Sequence, residues 1–222
     1  MKAIADAADR RQRPMTKRTD GRTAKGQRIK ELVHQAILNS YIELIRQGVP
    51  SPTARETAKQ AGLSLRVIFN HFPDLLALRL AAFNRINAQA DEFFARDIPT
   101  EGSAQERLSR FVQTHARRLE FVASIRRTAT MVESIDPDVA EAMRKAREAA
   151  GRDLERSLTP ALKSLSPGAR RELLMKLHIV CSWECWEFTR RHYRAAPGRA
   201  KAIITDMALA LLAAAERNRR QS

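Results

Sequence analysis

The chain is poor in the residues that build sheets, staples and tight turns. Only 8 of its 222 residues are glycine and aromatics make up 5%, which argues against a β-sandwich, with its many short strands and turns. Two cysteines, Cys181 and Cys185, are too few for a disulfide framework and point to a reducing compartment. The opening MKAIADAADRRQRPM has no continuous apolar stretch of the kind a signal peptide needs, and Asp6, Asp9 and Asp20 speak against an organellar transit peptide. No run reaches the ~18 apolar residues that span a bilayer. The expectation is a cytoplasmic protein with no membrane partner. Signatures of catalysis are missing too. There is no Gly-rich phosphate loop, no Gly-x-Ser-x-Gly elbow, no His-Glu-x-x-His pair and no paired carboxylates at a predicted pocket. The chain reads as a non-enzyme that needs no cofactor and no metal.

What it does have is helix formers and positive charge. Ala, Leu, Arg and Glu recur throughout, and 44% of residues are hydrophobic, enough for a sizeable helical core. The formal net charge is +15, which attracts polyanions without choosing between nucleic acid and an anionic membrane surface. Its distribution is uneven, since residues 1 to 72 hold 14 Lys and Arg against 6 Asp and Glu. Residues 1–27 carry eight of these cations, Lys2 and seven more from Arg10 to Lys25, with almost no apolar periodicity, and read as a basic, disordered arm. Two roles stay open for it, a passive solvated tail or an arm that follows a duplex into its minor groove. Met15 offers a second start position.

From Ile29, apolar residues recur at helical spacing through Val33, Ile37 and Leu44, and Gly48 is the expected stop. The segment SPTARE then starts a second helix, either with Ser51 as cap and Pro52 at the first helical position or with Thr53 and Glu56 as a capping box. That helix ends at Ala61-Gly62. Gly62 suits a left-handed turn, Leu63 points inward, and Ser64 caps a third, short helix. Helix, tight turn and helix, with small Ala58 and Ala61 at the crossing, is the geometry that lays a second helix in a major groove. An αα-corner in an ordinary bundle has the same turn. Arg66, one turn into the short helix, favours the first reading, because an arginine there can take guanine O6 and N7 together. Asn70 and His71 add polar groups at its far end.

The run from Gly48 through Thr53, Ala58, Ala61-Gly62-Leu63-Ser64 and Ile68-Phe69-Asn70-His71-Phe72 resembles the DNA-binding domain of the tetracycline-repressor (TetR) family over about residues 29 to 80. The resemblance implies an all-α regulator. A three-helix helix-turn-helix DNA-binding domain, here 28–73, would precede a helical ligand-binding and dimerisation domain, here 74–222. It also implies a homodimer on double-stranded DNA and, in most members, repression relieved by a ligand. On matching positions, Thr53, Phe69 and His71 would lie near phosphates, and Ser64, Leu65, Arg66 and Val67 would face the groove with Asn70 beside them. Three positions depart from the family pattern. Phe69 stands where tyrosine is usual, Leu75 where a phosphate-binding lysine is common, and Thr57 where the core is usually apolar. Phosphate grip would then shift to the arm and to Thr53, Arg55 or Lys59.

Beyond about Leu80 only physical patterns remain. Asp74 can cap a helix to about Phe94, Ser103 and Glu106 form a capping box, and Asp136-Pro137 and Ser166-Pro167 each read as a cap followed by proline. Helices are expected near 103–118, 121–133, 137–158, 167–193 and 198–217. Apolar residues of the helix from Pro167 cover an arc of roughly 200°, wider than a single packing contact needs. The final helix is apolar nearly all round. Together they predict a four-helix dimer seam containing Trp186, Ile204, Met207 and Leu211. Phe111, His115, Phe121, Met131, Met143, His178 and Cys181 are the candidates to line a pocket for a small apolar effector. His178, Cys181 and Cys185 share one side of their helix, but three donors are too few for a closed metal site. An architectural DNA-binding protein without an effector is the other function compatible with this charge and turn.

Overall fold

The computed structural model describes residues 19–94 and 98–221. Among them are nine helices and no strand: α1 (Thr19–Arg46), α2 (Ala54–Ala61), α3 (Leu65–His71), α4 (Leu75–Phe94), α5 (Ala104–Thr130), α6 (Pro137–Leu162), α7 (Pro167–Val180), α8 (Trp183–Arg191) and α9 (Pro197–Gln221). The all-α expectation holds. Most of the arm, residues 1 to 18, lies outside the described residues. Its remainder does not: α1 begins at Thr19, so residues 19–27 are helix. No proline follows Pro14 in this stretch, and an isolated glycine such as Gly26 costs an exposed helix only about 1 kcal/mol.

Helix ends follow local chemistry. Of the two starts open for α2, the Thr53–Glu56 capping box is the one adopted: the Thr53 N–H donates to Glu56 Oε2 at 2.8 Å and the Glu56 N–H to Thr53 Oγ1 at 3.2 Å. These bonds from Thr53 hold the Glu56 carboxyl below the usual carboxylate range. Asp74 caps α4 through the Ala77 N–H at 2.8 Å. Ser103 and Glu106 form the box at the start of α5, and Asp136 and Ser166 cap α6 and α7 ahead of their prolines.

Two expected boundaries move. The segments 103–118 and 121–133 are one helix, α5, because nothing between Ser103 and Met131 breaks it and Leu119, Val122, Ala123 and Ile125 keep a continuous buried stripe. The expected 167–193 helix is instead α7 and α8, broken at Cys181. There the Ser182 Oγ accepts the Cys185 N–H at 3.0 Å and starts a new helix. A serine inside an apolar pattern can cap as readily as it can sit mid-helix.

Two hydrophobic cores meet along α5. The first joins Ile37 and Tyr41 of α1, Ile68 of α3 and Phe72 to Leu78, Phe83 and Ile86 of α4, and continues into Ile125 and Ala129 of α5 and Met143 of α6. The helix-turn-helix therefore shares its core with the rest of the chain. The second packs Leu108 and Leu119 of α5 against Leu154 and Leu158 of α6, Leu177 of α7, Trp186 of α8 and Ile204 of α9. Side chains of this size contribute about 1.5–3 kcal/mol each when fully buried. Buried polar groups are mostly answered. Thr57 donates to the Thr53 carbonyl at 2.9 Å, and Arg107 Nε to the Ser157 carbonyl at 2.7 Å.

Candidate nucleic-acid interface and ligand cavity

The turn between α2 and α3 is set by two residues. Gly62 stands at φ 66°, a left-handed conformation that costs a side-chain-bearing residue energy, and its N–H bonds back to the end of α2. Ser64 then accepts the Val67 N–H through Oγ, and α3 begins. Ile68 and Phe72 face inward and anchor α3. Leu65, Arg66, Phe69 and Asn70 are exposed on the opposite side, as are Thr53, Arg55 and Lys59 of the preceding segment. Arg66 has no ion-pair or hydrogen-bond partner among the described residues, so its guanidinium is free for an outside acceptor.

Two of the expected DNA contacts, Val67 in the groove and His71 near phosphates, pack against the protein instead. Val67 is half-buried and packs on the first core. His71 lies against α1, its ring 5.9 Å from that of His34, with Nδ1 buried and unpartnered. Burial, then the neighbouring His34 and Lys30, hold its pKa below the ordinary histidine value. The departures from the family pattern gain reasons as well. Leu75 packs on the first core, Thr57 satisfies its hydroxyl within α2, and Phe69 stays exposed with no hydroxyl to offer.

A cavity of about 340 Å³ lies among α4, α5, α6 and the α7–α8 break. Of the expected pocket residues it brings together Phe111, His115, His178 and Cys181. The other three lie elsewhere. Phe121 packs edge-on against Phe93 and Phe94, Met131 is exposed beyond the end of α5, and Met143 is wholly buried in the first core. Periodicity cannot separate a core position from a cavity wall, which explains the division.

The cavity's polar groups are distinct. His115 Nε2 lies 3.0 Å from the Cys181 carbonyl, which can only accept, so Nε2 carries the proton. Burial, with help from Arg118, lowers its pKa to about 4 and leaves the ring neutral at pH 7. Burial likewise pushes the Cys181 thiol up to about 12, so it is no thiolate. Gly151 opens the wall opposite, since a Cβ there would stand 2.7 Å from His178 Cε1. Arg118, Arg126, Arg147 and Trp183 complete a lining that sequence reasoning did not assign. Arg126 was legible in part, because it interrupts the buried stripe Leu119, Val122, Ala129 at a position where a hydrophobic residue is expected. Among the described residues no three His, Cys, Asp or Glu side chains gather as a metal group would require.

The seam residues also divide. Trp186 is 1% exposed and donates through Nε1 to Glu120 at 3.0 Å, and Ile204 is 3% exposed within the second core. Both are consumed inside the protomer, because α9 buries the face Ala200, Ile204, Ala208 and Leu212 against its own α5 and α7. Met207 remains 43% exposed and Leu211 half-buried, with Met175, Ile179, Phe188 and Tyr193 exposed on α7, α8 and the turn after α8. None of the described helices is long and apolar enough to cross a membrane.

The described residues form a helical fold with an N-terminal helix-turn-helix and a cavity-bearing helical remainder, and solved structures share it. The chain is similar to a TetR-family transcriptional regulator from Streptomyces coelicolor, at 19% identity and a TM-score of 0.63 over 85% of this chain and 83% of that one. It is similar to a protein assigned to the same family from a Rhodococcus species, at 16% identity and a TM-score of 0.62 over 81% and 98%. It is similar too to the multidrug binding protein EbrR in complex with imidazole, at 16% identity and a TM-score of 0.54 over 78% and 93%. No protein-family model and no curated protein matches the sequence. The fold is that of the TetR-family regulators.

Proposed function

We propose that the protein is a DNA-binding transcriptional regulator of the TetR type, a homodimeric repressor that reads a palindromic operator and releases it when a small molecule enters the cavity. The observation that carries this reading is the capped α2–α3 turn, which presents Leu65, Arg66, Phe69 and Asn70 outward while Ile68 and Phe72 hold α3 to the core. Arg66 takes the base edge of a guanine, and Leu65 suits a thymine methyl group. Thr53, Arg55 and Lys59 supply phosphate contacts that fix register.

Support for ligand response comes from the path between cavity and reading head. Arg126 and Thr128 lie two residues apart on α5, and the Thr128 Oγ1 donates to the Pro50 carbonyl at 2.8 Å, just ahead of the α2 cap. A shift of α5 at the cavity therefore bears on the entry to the helix-turn-helix. Arg66→Ala tests the reading head. Binding to the selected operator should weaken by about 1–3 kcal/mol with relaxed preference at one base pair per half-site. Equal loss on cognate and random duplex would make Arg66 a phosphate contact and favour an architectural protein.

A further inference from the structure

Most charged groups around the cavity are already matched. Arg118 pairs with Asp91, and Arg147 with Glu133 at 2.5 Å and Glu184 at 3.8 Å. Glu148, the carboxylate on the lining, pairs with Arg144 and, at 3.9 Å, with Arg152. His115 is neutral and already bonded to the Cys181 carbonyl. Arg126 is the exception. Its side chain is 6% exposed, its Nε and Nη2 are buried without a hydrogen-bond partner, and its ion pair with the largely exposed Glu184, at 4.0 Å, is too long for a hydrogen bond. The Trp183 ring, 5.5 Å from its guanidinium carbon, gives a face but no acceptor. A buried guanidinium left in this state is costly, and the fork geometry that would relieve it is that of a bidentate oxyanion.

We infer that the cavity binds a monoanionic carboxylate with an apolar body, its carboxylate on Arg126 and its hydrocarbon between Phe111, Leu119, Val122, Leu154 and Trp183. This deepens the ligand-response part of the function proposed above and rests on it only for its biological meaning. One cation without a hydrogen-bonded partner suits one negative charge. A phosphate monoester would bring close to two, and Arg118 and Arg147 are already committed to Asp91 and Glu133. A neutral amphiphile could accept one hydrogen bond from Arg126 without matching its charge, and a cationic one would repel it. Leu119, Val122 and Arg126 follow one another along α5, so the ligand lies along the helix that carries Thr128.

The test is calorimetric titration of the full chain, without DNA, with octanoate and phenylbutyrate against octanol, phenylbutanol, octylamine and octyl phosphate. At least one carboxylate binds, and its alcohol binds about tenfold to a hundredfold more weakly, as loss of a charge-assisted hydrogen bond implies. Arg126→Met loses the preference for carboxylate over alcohol, and Arg126→Lys retains part of it. Without ligand, Arg126→Met melts no lower than the wild type, because it removes a buried charge that lacks hydrogen bonds and leaves behind only the solvated Glu184. Alcohols binding as tightly as carboxylates, octyl phosphate binding in preference, or no carboxylate binding at millimolar concentration would each overturn the inference. The wild-type comparison decides even if both variants fail to fold. Because no DNA is present, a negative result leaves the DNA-reading proposal standing, and loss of that proposal leaves carboxylate binding intact.

Discussion

At the scale of single residues, the protein sets apart two arginines that composition cannot distinguish. Arg66 is exposed and unpaired on α3, where water stabilises it until a duplex replaces water; Arg126 is buried with Nε and Nη2 lacking hydrogen bonds and only a 4.0 Å ion pair to Glu184, where the inferred ligand would supply what water no longer does. Burial lowers the Arg126 pKa to about 10, which keeps it charged at neutral pH. The same effect of burial leaves His115 neutral. Its folded pKa of about 4 lies below the ordinary histidine value of 6.5, so between these two values the unfolded chain binds the proton and the folded chain does not. Stability from neutral His115 is present above pH 6.5 and is lost as pH falls toward 4. Relative to His115→Gln, which cannot titrate, the wild type should lose stability across this window in urea melts at stepped pH. A difference that stays flat between pH 7 and 4 would show that His115 titrates normally.

At the scale of elements, α5 connects the two halves. It is buried against α4, α6 and α9 over its whole length and touches the head through Thr128. Thr128→Val keeps the volume and removes the donor to the Pro50 carbonyl. It should cost about 1 kcal/mol in urea unfolding and speed hydrogen exchange at the amides of Thr53 to Thr57. Unchanged exchange there would mean that α5 does not steady the entry to α2. The elements themselves were legible wherever a cap or breaker is written locally. Thr53 with Glu56, Gly62, Ser64, Asp74, Ser103 with Glu106, Asp136-Pro137 and Ser166-Pro167 each act in the fold as their types predict. The α7–α8 break was not legible, because Ser182 becomes a cap only once Cys181 leaves helical geometry, a choice made by packing. The exposed face of α3 could be read from spacing, but the inward turn of Val67 and His71 depends on α1 and α4, which no local pattern reports. The cavity was half legible for the same reason: Phe111 and His115 follow from the α5 stripe and Arg126 shows as an interruption of it, whereas Trp183 acquires meaning only from the helices that enclose it.

At the scale of the whole molecule, one copy of α3 is a weak reader, and the proposed dimer gives it a second half-site at a fixed separation, about 34 to 36 Å for one helical turn. The apolar surface left on α7, α8 and α9 is the part suited to set that spacing, once Trp186 and Ile204 are assigned to the protomer's own core. Met207→Glu separates folding from assembly. At 43% exposure the side chain costs a lone protomer little, while in a seam it would bury an unpaired carboxylate from each subunit, at several kcal/mol. Light scattering at micromolar concentration should find a folded monomer with reduced operator affinity. A dimer that survives Met207→Glu would move the seam away from α9.

The most direct measurement is selection of duplexes bound by the full-length protein from a random library at fixed salt, followed by sequencing of what is retained. A dimeric reader with Arg66 on base edges predicts enrichment of a palindrome whose half-sites lie about one helical turn, or a whole multiple of it, apart, with a guanine preference in each. Retention of DNA with no enriched sequence, falling steeply as salt rises, would contradict it, because that is the behaviour of backbone charge contacts alone.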